Sequence, residues 1–168
     1  MTTKKQQTAN LLGATVLALY DELRLAVESY TGRTGESPSA VVILGHQPGI
    51  SNDQLSKLVN ITHTGTVRLV DRLVEDGLVE RRSSRLDKRS KALYLTASGE
   101  AAREEILKAR EVKMSSALNQ LTSEECNSLN SILGKLLVEV SRDDTHKLSI
   151  CRLCDANSCP NCPILVSV

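Results

Sequence analysis

Within residues 51–99 the spacing of apolar residues changes from helical to extended at a single glycine. From His63 to Asp76, at ~100° per residue, Leu69, Val70, Leu73, Val74 and Val67 gather on one side of a helix. Thr64, Arg68, Asp71, Arg72 and Glu75 gather on the other. Gly77 stops that helix, Leu78 to Arg82 reads as a strand, Ser83 to Arg89 as a polar tip, and Ser90 to Leu95 as a returning strand with Leu93 and Leu95 on one face. A helix that runs straight into a hairpin leaves few folds open.

The segment before it narrows them further. Ser51 and Gln54 have the spacing of a capping box for a helix carrying Leu55, Leu58 and Val59, and Asn60-Ile61-Thr62 joins this helix tightly to the next. Ile50 is placed to pair as a minimal strand with the hairpin. The expected fold is mainly α with a small β-hairpin wing, a winged helix-turn-helix to which long dimerisation helices are added. The hairpin residues Arg81 to Lys91 hold six Lys or Arg and one Asp, a net +5 in a chain of net +1, so the remainder sums to −4. Charge so concentrated marks a place on the surface.

The flanks supply the long helices. Leu12, Val16, Leu19, Leu23, Ala26 and Tyr30 recur at helical steps over about Thr8 to Tyr30. Ser37-Pro38 then reads as an N-cap with proline at the first helical position, ahead of a short helix through Val41, Val42 and Leu44. After the wing, Thr96 caps a helix running with Ile106, Leu107, Met114 and Leu118 towards Gln120. Thr122-x-x-Glu125 opens another, striped by Cys126, Leu129, Ile132, Leu133, Leu136, Leu137 and Val140, with Cys126 expected as a small buried hydrophobe. These apolar faces exceed what a winged helix needs to close its core, and a second copy of the chain is the simplest partner, a homodimer. The organisation expected is 1–35 as an N-terminal dimerisation helix, 36–96 as the winged helix-turn-helix, 97–142 as C-terminal dimerisation helices and 143–168 as a cysteine-rich tail.

Composition removes several functions. With no Trp, no Phe and three Tyr, the chain lacks the stacking platforms of single-strand and RNA binders, which leaves double-stranded DNA as the nucleic-acid partner. The polar N-terminus and the lack of any run near ~20 apolar residues point to a cytoplasmic protein with no membrane partner.

The run from Leu58 to Gly99 resembles the core of the MarR family of bacterial transcription regulators, and the likeness extends over about residues 8–142. It is carried by Gly77-Leu78-Val79-x-Arg81 at the turn into the wing, Asp87-Lys88-Arg89 at its tip, and Leu95-Thr96-x-x-Gly99 at the start of the next helix. The resemblance implies that Thr64, Thr66, Arg68 and Arg72 address the major groove, that Arg89 reaches the minor groove beside Arg85 and Lys88, and that Asp87 orients it. It also implies a regulator, here expected as a repressor and not an enzyme, that binds a pseudo-palindromic operator as a dimer. A small-molecule effector would bind between the dimer helices and the winged lobe. The oxidant-sensing cysteine near the first helix of some members has no counterpart, since no Cys precedes residue 126. The physics agrees on the main points: a helix fits the major groove, arginine takes guanine bidentately, and arginine on a narrow hairpin suits the minor groove's negative potential. Asp71 and Glu75 on the same face are expected to orient arginines or accept from cytosine. His46, His63 and His146 are expected as ordinary surface or boundary residues, His63 within reach of a phosphate.

The tail carries separate chemistry. Cys151, Cys154, Cys159 and Cys162 form two Cys-x-x-Cys pairs in a polar, proline-broken segment that core packing does not explain. Four soft ligands at this spacing suit tetrahedral Zn2+; an iron–sulfur cluster and a reversible disulfide are the alternatives. Two rival functions stay open at this level. One is a thiol–disulfide oxidoreductase, which lacks the βαβ context of such enzymes. The other is a protein-interaction module whose basic wing meets an acidic partner.

Overall fold

The computed structural model describes residues 3–83, 91–156, 158–159 and 161–164. Its elements are α1 (Thr3–Thr31), α2 (Ser37–His46), α3 (Asn52–Val59), α4 (His63–Glu75), β1 (Val79–Ser83), β2 (Lys91–Leu95), α5 (Ala97–Leu118), α6 (Ser123–Val140) and α7 (Asp144–Ile150). This is the mainly helical, winged fold expected from the sequence.

The core is where α2, α3, α4, the hairpin and the first half of α5 meet. Leu44, Leu55, Leu73, Leu93 and Ile106 are its largest fully buried side chains, with Val41, Val42, Val70 and Val79 among them. Ala102 and Ala109 let α5 lie close, so this core runs across the expected boundary at residues 96 and 97. β1 and β2 pair antiparallel from Val79↔Leu95 to Ser83↔Lys91. Ile50 joins them as expected: the Leu93 N–H donates to the Ile50 carbonyl at 2.9 Å and the Gly49 N–H donates to the Leu93 carbonyl at 2.7 Å.

Two glycines fix how the wing leaves the helices. Gly77 has φ +71°, the left-handed conformation that ends α4 and turns the chain into β1. At Gly99, in the first turn of α5, an added Cβ would lie 2.1 Å from the Leu78 carbonyl oxygen. The backbones meet there because the Thr96 N–H donates to that same carbonyl at 3.0 Å, while the Thr96 hydroxyl donates to the Gly77 carbonyl at 2.6 Å.

Several details depart from expectation. α1 begins five residues earlier than its apolar stripe, at Thr3. The N-cap of α2 is Glu36, which makes no side-chain capping bond, so Ser37 is already helical. Cys126 is only half-buried, because α6 has no buried residue at all within the protomer. The tail opens with a helix, α7, capped by Asp143, whose carboxylate accepts from the His146 N–H at 2.9 Å. Among the described residues, no helix is long and apolar enough to cross a membrane.

Candidate nucleic-acid interface

The reading unit is built from two helices joined by one left-handed residue. Ser51 and Gln54 close the expected capping box on α3, and Asn60, at φ 56°, reverses the chain. The Thr62 hydroxyl then accepts from the Gly65 N–H at 3.1 Å and starts α4. Leu69, Val70 and Leu73 anchor α4 in the core, leaving Thr64, Arg68 and Arg72 exposed along one outward arc. Three of the four proposed major-groove residues thus share a solvent face.

Thr66 does not. It is fully buried, and its hydroxyl donates to the Thr62 carbonyl at 3.1 Å. The physical reason is the helical period: Thr66 lies three and four residues before Leu69 and Val70 and seven before Leu73, on the packed side. Its role is to tie down the first turn of α4, and the expectation of a base contact is corrected.

One of the two acidic residues on this face, Asp71, has a partner from the wing. Arg81 in β1 donates to Asp71 at 2.5 Å, which neutralises a carboxylate that would otherwise repel phosphate and clamps the hairpin's base to α4. Arg82 pairs with Glu80 and lies 4.4 Å above the centre of the Tyr94 ring, a cation–π stack across the two strands. His63, in the first turn of α4, is paired with Asp53 of α3 at 2.7 Å rather than free for a phosphate. The wing-tip residues Arg85, Asp87, Lys88 and Arg89 lie outside the described residues.

Comparison with known proteins settles the kind of molecule. A family model described as MarR family matches residues 31–90. The chain is 31% identical over 123 residues to the HTH-type transcriptional regulator PetP of Rhodobacter capsulatus, covering 62% of this chain and 74% of that one. The chain belongs to the MarR family. This MarR-family chain is also 33% identical over 96 residues to the HTH-type transcriptional regulator BilQ of Clostridium symbiosum, covering 57% of it and 67% of BilQ. Its fold matches YusO of Bacillus subtilis with a TM-score of 0.68 at 22% identity, over 84% of this chain and 100% of that one. A mutant of S. aureus MepR matches with a TM-score of 0.71 at 20% identity, over 79% and 98% of the two chains. Another MepR mutant, solved bound to an oligodeoxyribonucleotide, matches at 0.59, 20% identity and 80% and 98% coverage. The protein is therefore a DNA-binding helix-turn-helix transcriptional regulator and not an enzyme.

The cysteine tail of this MarR-family chain is folded against the reading lobe. α7 packs across α3, Leu148 and Leu153 lie on the core, and Ile164 is buried. Each Cys-x-x-Cys pair spans a turn: the Cys154 N–H donates to the Cys151 carbonyl at 2.9 Å, and the Cys162 N–H to the Cys159 carbonyl at 3.2 Å. All four cysteines line a cavity of about 200 Å³ whose apolar wall includes Ile43, Leu58, Leu148 and Ile164. Among the described residues, no group of three or more His, Cys, Asp or Glu side chains is arranged to hold a metal ion.

The thiols are unequal. A hydrogen bond from Cys151, followed by the nearby charges of Arg110 and Arg152, overcomes partial burial and holds the Cys154 thiol at about 6, against an ordinary 9.0. The same bond, with burial behind it, pushes Cys151 up, and burial followed by Cys162 pushes Cys159 up. Nη2 of Arg110 on α5 lies 3.9 Å from the Cys154 sulfur. His46, a boundary residue as expected, has two partners. Its Nε2 lies 2.9 Å from the Cys154 carbonyl and its Nδ1 3.4 Å from Nη2 of Arg103. A carbonyl only accepts and a guanidinium only donates, so the tautomer with its proton on Nε2 satisfies both. The contacts of Arg81, Arg110 and His46 were not read from the sequence. The available signal was faint: Arg103 and Arg110, seven residues apart, flank Ile106 and Leu107 on a helix that packs.

Proposed function

We propose that this MarR-family regulator binds a pseudo-palindromic operator as a homodimer and represses transcription from it. α4 of each protomer enters one of two successive major grooves, with Thr64, Arg68 and Arg72 towards the bases. Arg89, with Asp87 as its orienter, reaches the flanking minor groove, and Arg85 and Lys88 also bind the DNA. The observation that carries this reading is the exposed arc of Thr64, Arg68 and Arg72 on a helix whose opposite face is locked into the core.

The test is duplex selection followed by fluorescence anisotropy. Arg68→Ala or Arg72→Ala weakens the selected site by at least about tenfold, as expected for losing a bidentate contact of ~1–3 kcal/mol in each half-site, and relaxes preference at one base pair. Arg89→Ala flattens the salt dependence. Thr66→Val, which alters a buried hydroxyl, leaves affinity within about threefold, well inside one lost base contact. Equal binding to every duplex, or none, would favour the protein-interaction reading.

Control of DNA binding is placed with a small effector or with the cysteine tail, and the cavity between α1 and the winged lobe of a single protomer favours the tail by its size. The cavity there, lined by Leu23, Val27, Pro38, Ser39 and Leu153, has only about 90 Å³. Pockets for drug-sized ligands are roughly 300–1,000 Å³. A zinc or iron–sulfur site on Cys151, Cys154, Cys159 and Cys162, which line one cavity, is the form of that control to be tested. Metal analysis and a visible spectrum after anaerobic purification test for it.

A further inference from the structure

We infer that the tail and the reading lobe together form a binding site for a small organic anion of two or more charges, held by Lys57, Arg142 and Arg152. The inference deepens the proposed control of DNA binding by naming an effector class and its site, and its coupling to DNA rests on that reading.

The site is a cavity of about 670 Å³ bordered by the end of α3, the link from α6 to α7, and α7 itself. Its size falls within the roughly 300–1,000 Å³ of small-molecule pockets. Val59 and Ile150 are the apolar residues on its wall, and the rest of the lining is polar or charged.

Three cations from three segments meet there: Lys57 from α3, Arg142 from the link before α7, and Arg152 from just after that helix. Elsewhere Arg24, Arg81, Arg82, Arg103, Lys113 and Lys147 each have a carboxylate partner. Among the described residues Lys57 and Arg142 have none, and the Arg152 guanidinium donates to the neutral Ser149 carbonyl at 2.8 Å. The two carboxylates on the wall do not pair with these cations among the described residues. Asp143 accepts from the His146 N–H as the cap of α7, and Glu36 belongs to the turn before α2. Like charges gathered on one space repel, and an anion placed between them converts repulsion into attraction. Three cations call for more than one negative charge.

His146 supplies a second sign of a ligand. It lines the same cavity, and its Nδ1 is buried with no hydrogen-bond partner among the described residues. Buried polar atoms are nearly always partnered, and a polar group of the ligand offers this one a partner. No Phe, Tyr or Trp is among the described residues of the wall, so recognition is by charge and hydrogen bonds. That suits an aliphatic dicarboxylate or a sugar phosphate better than a flat aromatic acid.

The position links the site to DNA. Asn60, the left-handed residue that reverses α3 into α4, borders the cavity with Lys57. A bound anion therefore lies beside the turn of the reading unit and cancels positive charge there, which weakens attraction for duplex phosphates.

The test is calorimetric titration of the full chain with succinate and, separately, ribose 5-phosphate at constant ionic strength, with choline as the cationic control. At least one anion binds with a Kd below about 1 mM, and the tighter of the two tells carboxylate from phosphate recognition. Arg142→Gln and Lys57→Gln each weaken it at least about tenfold, as for the loss of a charge-assisted bond. Lys108→Gln, at an exposed lysine of α5 outside the cavity, leaves it unchanged. Circular dichroism checks that each variant is folded. Saturating anion weakens duplex binding at least about threefold, and saturating duplex weakens anion binding by the same factor. No Kd below about 1 mM for either anion, choline bound as well as the anions, or an affinity unchanged in both Gln variants overturns the site. A bound anion that leaves duplex affinity unchanged overturns its role as effector. A chain that binds anion but no duplex defeats the DNA-reading proposal instead.

Discussion

Replacing Leu133 and Leu136 together by Glu tests the second copy of the chain on the helix that most needs one. α6 is 18 residues long, has no buried residue and makes no more than marginal contact with any other element of its protomer. A helix of that length is marginal in water without tertiary packing. Yet its apolar stripe stands open, with Ile132 at 54%, Leu133 at 44% and Leu136 at 36% of full exposure. α1 repeats the pattern with Leu11, Val16, Leu17 and Tyr20, each at least half exposed. Burying a whole Leu side chain is worth about 1.5–3 kcal/mol, so covering the open part of one is worth roughly 1 kcal/mol. A twofold interface contains each residue twice, so the double variant removes four such contributions, about 4 kcal/mol, or roughly a thousandfold in Kd. Desolvating the new carboxylates adds to that. Sedimentation equilibrium across micromolar concentrations measures the shift, and circular dichroism checks that the winged lobe, whose core these residues do not enter, stays folded. A parent chain that is monomeric throughout, or a double variant with unchanged association, refutes the reasoning.

Gly99→Ala places a methyl group 2.1 Å from the Leu78 carbonyl oxygen, a backbone atom that cannot swing aside. Overpacking of this kind costs about 1–3 kcal/mol, read as a lower urea midpoint with unchanged slope. The cysteine pair gives tail docking a pH window. From about 6 to 9 the docked pair holds one proton where a released pair holds two, so docking strengthens as pH rises. Above 9.0 the released pair loses both protons while Cys151, pushed up, keeps its own, so docking weakens again. Resistance of the tail to limited proteolysis therefore rises from about pH 6 and peaks near pH 9 in the reduced chain, and the rising limb is missing from Cys154→Ser.

Features decided by neighbours in sequence were legible. The boxes at Ser51/Gln54 and Thr122/Glu125 are local bonds between residues three apart, and both form as read. The stop at Gly77 is similarly short in its cause, whereas the pairing of Ile50 with Leu93 is long-range and was legible because the helices between them and the hairpin were. Thr66 shows what happens when position-by-position likeness is preferred to the helical period. The period places it with Leu69, Val70 and Leu73, and the period is right. Asp71 was read as an orienter of arginines, and it does bind one. That partner is Arg81, ten residues away, and not Arg68 on its own helix, because the turn at Gly77 returns the strand alongside α4.

The tail was illegible for the opposite reason. Taken alone, residues 143–164 have little apolar periodicity, and four thiols among prolines suggest a separate module. What docks the segment is supplied by distant residues: Ile43 and Leu58 for the apolar side, Arg110 for the sulfur, His46 for the carbonyl. The same long-range contacts make Cys154 different from Cys159, although the two sit in like turns with like spacing. Motif spacing identifies where thiol chemistry is possible; the neighbours that distinguish one thiol from another, the Cys151 thiol first and then Arg110 of α5, are set by the fold. The winged lobe thereby exposes Thr64, Arg68 and Arg72 on α4 and carries the cysteine tail behind α3, on two sides of one core.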